Sequence, residues 1–223
     1  MSPPFPNAVV FDMDGLLLDT ERVYFEGFRA TLDVLGLPQD DDLFRRLVGT
    51  NRKLGLRLLT EGLAGCVELE TFDAVWSAET TQRLADCIPV KPGARELAEH
   101  LRERDIPYLI ATSTQTKKAH LHLERAGLSA LFQDVVGGDQ VAASKPAPDI
   151  YLHATARLGH APSNCVAFED SPNGVRAAYA AGLITVQIPD IVVPDAELRA
   201  LGHYIASDII AGAHLVGLMV GPE

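Results

Sequence analysis

Short apolar runs alternate with helical periodicity along most of the chain, and this alternation predicts an α/β fold. The run Ala8–Phe11 is apolar at every position, which is typical of a strand buried on both faces. From Lys91 onward each further run of this kind is followed by a helical pattern. Five more strands are predicted in this way: Tyr108–Ala111, Asp134–Val136, Cys165–Phe168, Ile184–Ile188 and Tyr204–Ala206. The alternation predicts a doubly wound, Rossmann-like core with a parallel sheet.

Several helix ends can be read from capping residues. Thr20 is a plausible N-cap for a helix that runs to about Leu35 and ends at Gly36. Ser171 followed by Pro172 predicts another helix start, because serine caps the free N–H groups and proline fits the first turn.

Between the first strand and the later alternation, the pattern is helical only. From Asp40 to Ala85 no strand pattern appears, and apolar positions recur at helical spacing. Three groups carry this spacing: Leu43 and Leu47; Leu54, Leu58 and Leu59; and Phe72, Val75, Trp76 and Leu84. We therefore expect an all-helical insertion directly after the first strand.

Composition narrows the class of protein. The chain has 223 residues, of which 47% are hydrophobic and 22% are charged, normal values for a soluble globular protein. A formal net charge of -11 argues against binding to nucleic acid or to an anionic membrane, since both need clustered Lys and Arg. We expect a small-molecule ligand, no nucleic-acid or membrane partner, and a monomer.

Cysteine usage and the chain ends bear on location. The three cysteines show no CxxC spacing and read as reduced thiols of a cytosolic protein. The N-terminus lacks the basic and apolar segments of a signal peptide. The apolar tail Ile209–Val220 is interrupted by His214 and is shorter than the ~20 residues of a membrane span. These features predict a cytoplasmic protein.

Two carboxylates follow the first apolar run. Asp12 and Asp14 are two residues apart, and Gly15 comes directly after them. In an open α/β sheet, ligands bind at the carboxyl ends of the strands, which is where these residues would lie. A β-turn uses the same residue types, so this stretch alone leaves a turn and a site equally open.

Three later loops place polar residues at the same edge. Thr112 and Ser113 follow a strand and precede a helix, an arrangement that binds anions, although helix capping explains them equally well. Lys145 precedes a proline and would project from an extended loop. Glu169 and Asp170 end another strand, and oxygen ligands of this kind suit Mg²⁺.

These loops carry a resemblance to a known family. The stretch FDMDGLLLDTER, which begins at Phe11, resembles the DxDG motif of the phosphatase branch of the haloacid dehalogenase superfamily. The later runs KPAPDI and FEDSPNGV match that family in the same order, so the resemblance covers essentially the whole chain. It implies a Rossmann-like catalytic core of residues 1–19 and 89–223 and an inserted helical cap domain of residues 20–88.

The resemblance also implies catalytic roles. Asp12 would be the nucleophile that forms an aspartyl-phosphate, and Asp14 would be the general acid/base. Thr112 would bind the transferring phosphoryl group together with the main-chain N–H of Ser113. Lys145 would neutralise the nucleophile and the phosphate as a compact charge.

A metal site is implied as well. Asp12, Asp170 and the main-chain carbonyl of Asp14 would hold Mg²⁺, with Glu169 either a ligand or a supporting partner. Lys145 and Mg²⁺ would then balance the three negative charges of the side chains, which predicts that activity depends strictly on Mg²⁺.

The cap is expected to select the substrate. Asp14 favours phosphoester hydrolysis, and the chain resembles pseudouridine-5'-phosphatases, sugar-phosphate phosphatases and β-phosphoglucomutases. Tyr24 stands where the mutases carry a cap histidine, so a phosphosugar mutase is the second hypothesis. A non-catalytic binding protein on the same fold is the third, because Asp12, Asp14 and Lys145 are all present. Residues 49–52 resemble the family's substrate-specificity loop, so Arg52 is a candidate substrate contact, although a solvated arginine at a helix start is an equally good explanation. Tyr24 is a second candidate, with a packed cap aromatic as its alternative. The preferred hypothesis is a phosphatase for a sugar phosphate or a nucleotide such as pseudouridine monophosphate.

Overall fold

A single parallel sheet organises the chain. The computed structural model describes residues 6–48, 52–63, 65–86 and 88–219, without the side chains of residues 52, 53 and 86. Six strands pair in the order β3-β2-β1-β4-β5-β6. They are β1 Ala8–Phe11, β2 Tyr108–Thr112, β3 Val135–Gly137, β4 Cys165–Glu169, β5 Ile184–Gln187 and β6 Tyr204–Ile205. Every expected strand is present, each within one residue of its predicted bounds.

The central position of β1 explains its unbroken apolar run. It pairs in parallel with β2 on one side and with β4 on the other. Val9 and Phe11 face one hydrophobic cluster, whereas Ala8 and Val10 face the cluster on the opposite side of the sheet. All four side chains are fully buried, so no polar position alternates with them. The carboxyl ends of β1, β2 and β4 consequently open at one edge.

The helices follow the predicted order. The described α-helices are α1 Thr20–Val34, α2 Asp41–Leu47, α3 Arg52–Leu63, α4 Leu69–Asp86, α5 Ala94–Glu103, α6 Thr116–Arg125, α7 Asp149–Leu158, α8 Pro172–Ala180, α9 Ala196–Arg199 and α10 Ile209–Leu215. Ser171 caps α8, as predicted, by accepting a hydrogen bond from the N–H of Gly174. The predicted cap of α1 was wrong: Asp19 occupies the N-cap position, and the fully buried Thr20 begins the helix.

Helices α1 to α4 bury a hydrophobic cluster of their own, distinct from the two clusters on the sheet. Its aromatic centre is Phe28, whose ring contacts those of Phe72 and Trp76 at centroid distances of 5.7 and 5.4 Å. Gly27 allows α1 and α4 to approach closely, since a Cβ there would lie 2.6 Å from the Thr80 hydroxyl oxygen. The expected all-helical insertion is therefore present and has a separate core.

The chain enters and leaves this helical segment through a short two-stranded ribbon. The N–H of Asp19 donates to the carbonyl of Pro89 at 2.9 Å. The N–H of Lys91 donates to the carbonyl of Leu17, also at 2.9 Å. The Lys91 ammonium adds ion pairs with Asp190 at 2.6 Å and with Asp19 at 3.3 Å. Both crossings are thereby tied to each other and to the loop that follows β5.

The C-terminal apolar stretch forms α10, which packs on the sheet. Gly212 permits close contact there, because a Cβ would lie 2.9 Å from the Val186 side chain. Within the described part of the chain, no helix is long and apolar enough to cross a membrane.

Candidate active site

Three carboxylates meet at the carboxyl ends of β1 and β4. Asp12, Glu169 and Asp170 each contribute an oxygen, and these oxygens lie within 4.8 Å of one another. All three residues are buried, Glu169 completely. Phe11 and Phe168 are partners across the adjacent parallel strands, so the residues that follow them emerge side by side. We call these three residues the carboxylate cluster.

Lys145 supplies the positive charge of this cluster. Its ammonium donates to Asp12 Oδ1 at 2.5 Å, to Glu169 Oε1 at 2.6 Å and to the carbonyl of Ala111 at 3.0 Å. It also lies 5.0 Å from the centre of the Tyr151 ring. Burial by itself would lower the pKa of Lys145, but Asp12 and Glu169 raise it overall, so the ammonium stays charged.

Negative charge nevertheless exceeds positive charge here. Burial raises the pKa of Asp12 well above its usual range; Lys145 opposes this shift, while Glu169 and Asp14 add to it. Burial likewise raises the pKa of Asp170, with further contributions from Asp12 and Glu169. Three carboxylates around one ammonium favour the entry of a further cation.

Glu169 and Asp170 differ sharply in their partners. Oε1 of Glu169 accepts hydrogen bonds from Lys145 and from the Tyr151 hydroxyl, both at 2.6 Å. Its Oε2 accepts from the N–H of Ser171 at 3.3 Å and from the Ser171 hydroxyl at 3.1 Å. Oδ1 of Asp170 is buried and has no hydrogen-bond partner among the described residues. The unsatisfied oxygen of the cluster is thus on Asp170.

Three hydroxyls surround the second aspartate of the motif. Thr20 donates to Asp14 Oδ1 at 3.0 Å, and Thr114 donates to Asp14 Oδ2 at 2.7 Å. Thr112 adds a longer hydrogen bond to Oδ2, at 3.3 Å. The predicted residues Asp14 and Thr112 are therefore in contact. Ser113 stands between Thr112 and Thr114 in the sequence, and its side chain is exposed.

Two glycines permit this close packing. Gly15 has φ +84°, and a Cβ there would lie 2.3 Å from Asp170 Oδ2. At Gly174, in the first turn of α8, a Cβ would lie 1.8 Å from Glu169 Oε1. A side chain at either position would displace a carboxylate of the cluster.

The predicted cap residues are described in part. Tyr24 lies on α1 and lines a cavity of 390 Å³ between the helical segment and α6. Burial, followed by the charges of Asp14 and Glu21, raises the pKa of its phenol. Residues 49–51 and the Arg52 side chain lie outside the described residues, so their expected contact with substrate stays a prediction.

Four residues near the site were not predicted to belong to it. Thr114 follows Thr112 in one hydroxyl-rich run, and that run was the available signal. The sequence pattern at Thr20 indicated a helix N-cap and not a contact with Asp14. Tyr151 carried no sequence signal for the site, because a buried tyrosine on a helix is usually interpreted as a core residue. Glu21 is held in the first turn of α1, where burial, Asp14 and Asp190 raise its pKa to about 7.

Comparison with known proteins gives consistent matches over most of the chain. The model of the haloacid dehalogenase-like hydrolases matches residues 6–182. The phosphorylated carbohydrates phosphatase of Thermotoga maritima is 40% identical over 177 residues, covering 79% of this chain and 82% of that protein. A "Probable pseudouridine-5'-phosphatase" of Drosophila melanogaster is 36% identical over 187 residues, covering 81% and 80%.

A solved structure extends the match to the whole fold. A HAD family hydrolase from Deinococcus radiodurans R1, with bound phosphate and sodium, superposes with a TM-score of 0.83. The two sequences are 26% identical, and the match covers 99% of this chain and 100% of that one.

Proposed function

The chain belongs to the haloacid dehalogenase-like hydrolases and is a phosphoric monoester hydrolase, and from this premise we propose an Mg²⁺-dependent phosphatase that acts through an aspartyl-phosphate. Its substrate would be a small phosphomonoester, either a sugar phosphate or a nucleotide such as pseudouridine monophosphate. One observation carries the proposal: Asp12 is buried against Lys145, beside an Asp170 oxygen that has no hydrogen-bond partner among the described residues.

We assign residues 1–19 and 89–223 to a catalytic core and residues 20–88 to a helical cap. The separate hydrophobic cluster of α1 to α4 supports this division, as does the ribbon through which the chain enters and leaves that segment. The cap would cover the carboxyl edge of the sheet and contribute to substrate selection.

The donor set fits Mg²⁺. The side chains of Asp12 and Asp170 and the main-chain carbonyl of Asp14 would hold the ion, since hard oxygen ligands suit it and no described residue gives Asp170 Oδ1 a hydrogen bond. Glu169 already accepts four hydrogen bonds and would support the site through Lys145 and Ser171. When bound, the ion would offset the excess negative charge and stabilise the charge of the phosphoryl oxygens.

In the first half of the reaction, a carboxylate oxygen of Asp12 attacks phosphorus. The bond from phosphorus to the leaving oxygen breaks, and Asp14 gives that oxygen a proton. Lys145 stabilises the ionised form of Asp12 and the charge on the phosphoryl group, because its ammonium is buried beside the nucleophile. Thr112 and the N–H of Ser113 would hold the phosphoryl oxygens.

In the second half, water replaces the alcohol. Asp14, now ionised, takes a proton from the water while its oxygen attacks phosphorus. The bond between phosphorus and the Asp12 oxygen breaks, which releases inorganic phosphate and restores the carboxylate. Thr20 and Thr114 orient Asp14 between the two proton transfers.

The test is phosphate release from a panel of phosphomonoesters, with Mg²⁺ and with EDTA. The panel contains pseudouridine monophosphate, common nucleotides, hexose and pentose phosphates, phosphoglycolate and β-glucose 1-phosphate. We expect release that needs Mg²⁺ and disappears in Asp12→Asn. Conversion of β-glucose 1-phosphate into glucose 6-phosphate without release would favour the mutase. A folded protein that binds phosphate esters without converting them would favour a binding protein.

A further inference from the structure

The cavity beside Tyr24 has a wall built from one face of α6. Lys118, Leu121, His122 and Arg125 recur at helical spacing and line it together. Opposite them, α4 contributes a second stripe that includes Trp76. The cavity has a volume of 390 Å³, enough for a small organic molecule.

Two cations of this wall lack acidic partners. Within the described residues, neither Lys118 nor Arg125 forms an ion pair. Arg125 donates to the carbonyl of Leu84 at 3.3 Å, and Lys118 approaches the Tyr24 hydroxyl at 3.5 Å. Asp73 is the acidic residue among the described residues that line the cavity, and these residues together carry more positive than negative charge.

A buried polar group on the same wall also lacks a partner. His122 is 2% exposed, and its Nδ1 has no hydrogen-bond partner among the described residues. Burial lowers its pKa; Asp14 opposes this shift, and the charges of Lys118 and Arg125 reinforce it. The neutral imidazole can donate one hydrogen bond, and a buried polar group without a partner is costly. A bound ligand would remove that cost.

Two helices that line the cavity, α1 and α6, begin at the candidate active site. Tyr24 lines the cavity and lies in the first two turns of α1, which begins at Thr20, a partner of Asp14. On the other side, α6 begins two residues after Thr114, the second hydroxyl that holds Asp14. A molecule whose phosphoryl group reaches Asp12 could therefore extend its leaving group toward Lys118.

We propose that this cavity receives a second anionic group, a carboxylate or a phosphate, carried by the leaving group of the substrate. Lys118 and Arg125 pair with that group, and His122 donates a hydrogen bond to the bound leaving group. This inference rests on the proposed phosphatase function and narrows its substrate class to phosphomonoesters with a further negative charge.

The test compares substrates that differ only in this charge. Glycerol 3-phosphate and 3-phosphoglycerate have the same length, and the second carries a carboxylate in place of a hydroxymethyl group. Ribulose 5-phosphate and ribulose 1,5-bisphosphate test a second phosphate in the same way. Lys118→Met should raise KM about tenfold or more for the charged member of the preferred pair, with kcat and the uncharged member changed less than about twofold.

Lys117→Met is the matched control, because Lys117 is exposed on the same helix and does not line the cavity. It should leave all four substrates unaffected. A KM that rises equally for charged and uncharged substrates, or that does not rise in Lys118→Met, would overturn the assignment. So would a wild-type enzyme that prefers the uncharged member of both pairs.

A binding measurement separates this inference from the proposed function. Trp76 is the single tryptophan of the sequence, so its fluorescence reports on the cavity without turnover. We expect a saturable change with 3-phosphoglycerate that glycerol 3-phosphate does not produce and that Lys118→Met weakens. That result, with no phosphate released from any ester, would refute the phosphatase and retain the anion site. No saturable change would refute the anion site alone.

Discussion

Replacing Tyr151 with phenylalanine removes one hydroxyl from the wall of the carboxylate cluster. That hydroxyl donates to Glu169 Oε1 at 2.6 Å, and both side chains are fully buried. Burial and the charge of Glu169 raise the pKa of the Tyr151 phenol well above its usual range, so it remains a donor at neutral pH. In Tyr151→Phe, the hydrogen bond from Lys145 is the one that described residues would still give to Oε1.

The expected loss is that of a hydrogen bond to a buried charge, about 1.5–3 kcal/mol in the free energy of unfolding. For a chain of this size, such a loss lowers the midpoint of thermal unfolding by roughly 3–12 °C. Urea unfolding at neutral pH in EDTA measures it directly, provided that the dependence on urea concentration is unchanged.

Tyr108→Phe is the matched control. The Tyr108 hydroxyl donates to a neutral acceptor, the carbonyl of Leu131, at 3.0 Å. Its removal should cost only about 0.5–1.5 kcal/mol. If Tyr151→Phe were no less stable than Tyr108→Phe, the hydroxyl of Tyr151 would not be stabilising a charged Glu169, and the account of that carboxylate as fully hydrogen-bonded would be wrong.

Three further results are expected. Mg²⁺ should raise the free energy of unfolding of the wild type by about 2.7 kcal/mol at a hundredfold excess over Kd, but not that of Asp170→Asn; an equal rise in both would place the ion elsewhere. Asp12→Asn should lose phosphate release yet unfold in EDTA at a temperature no lower than the wild type, because it removes one buried negative charge; a clear drop would argue against excess charge in the cluster. Gly174→Ala should lose about 1–3 kcal/mol in urea unfolding, since its Cβ would lie 1.8 Å from Glu169 Oε1, and wild-type stability would contradict that contact.

The sheet and its edge were predictable because a buried strand has a recognisable local sequence pattern. Ala8–Phe11 is apolar without alternation, and the structure explains this by its central place between β2 and β4. Once the strands are known to be parallel, Asp12 and Asp170 must emerge at one edge, so the carboxylate cluster follows from local patterns and topology together.

The partners of these residues were not predictable in the same way. Tyr151 and Glu169 are 18 residues apart, and nothing in the sequence distinguishes this tyrosine from a packed core aromatic. Thr20 was interpreted as a helix cap, because the hydroxyl that caps a helix is chemically the same as one that binds a carboxylate. Side-chain hydrogen bonds over long separations depend on packing that a local pattern does not encode.

The ribbon that carries the chain out to α1 and back from α4 bears on how such a protein can evolve. The two ends of the helical segment lie side by side in this ribbon. With respect to the sheet, the whole segment is therefore equivalent to one long loop. The entropy of closing a loop grows only with the logarithm of its length, about 0.6 kcal/mol for each doubling. Insertions, deletions and replacements beyond the first turn of α1, where Thr20 holds Asp14, therefore leave the reacting groups almost undisturbed. Selection can then change which molecules are accepted while the chemistry performed on them is inherited intact.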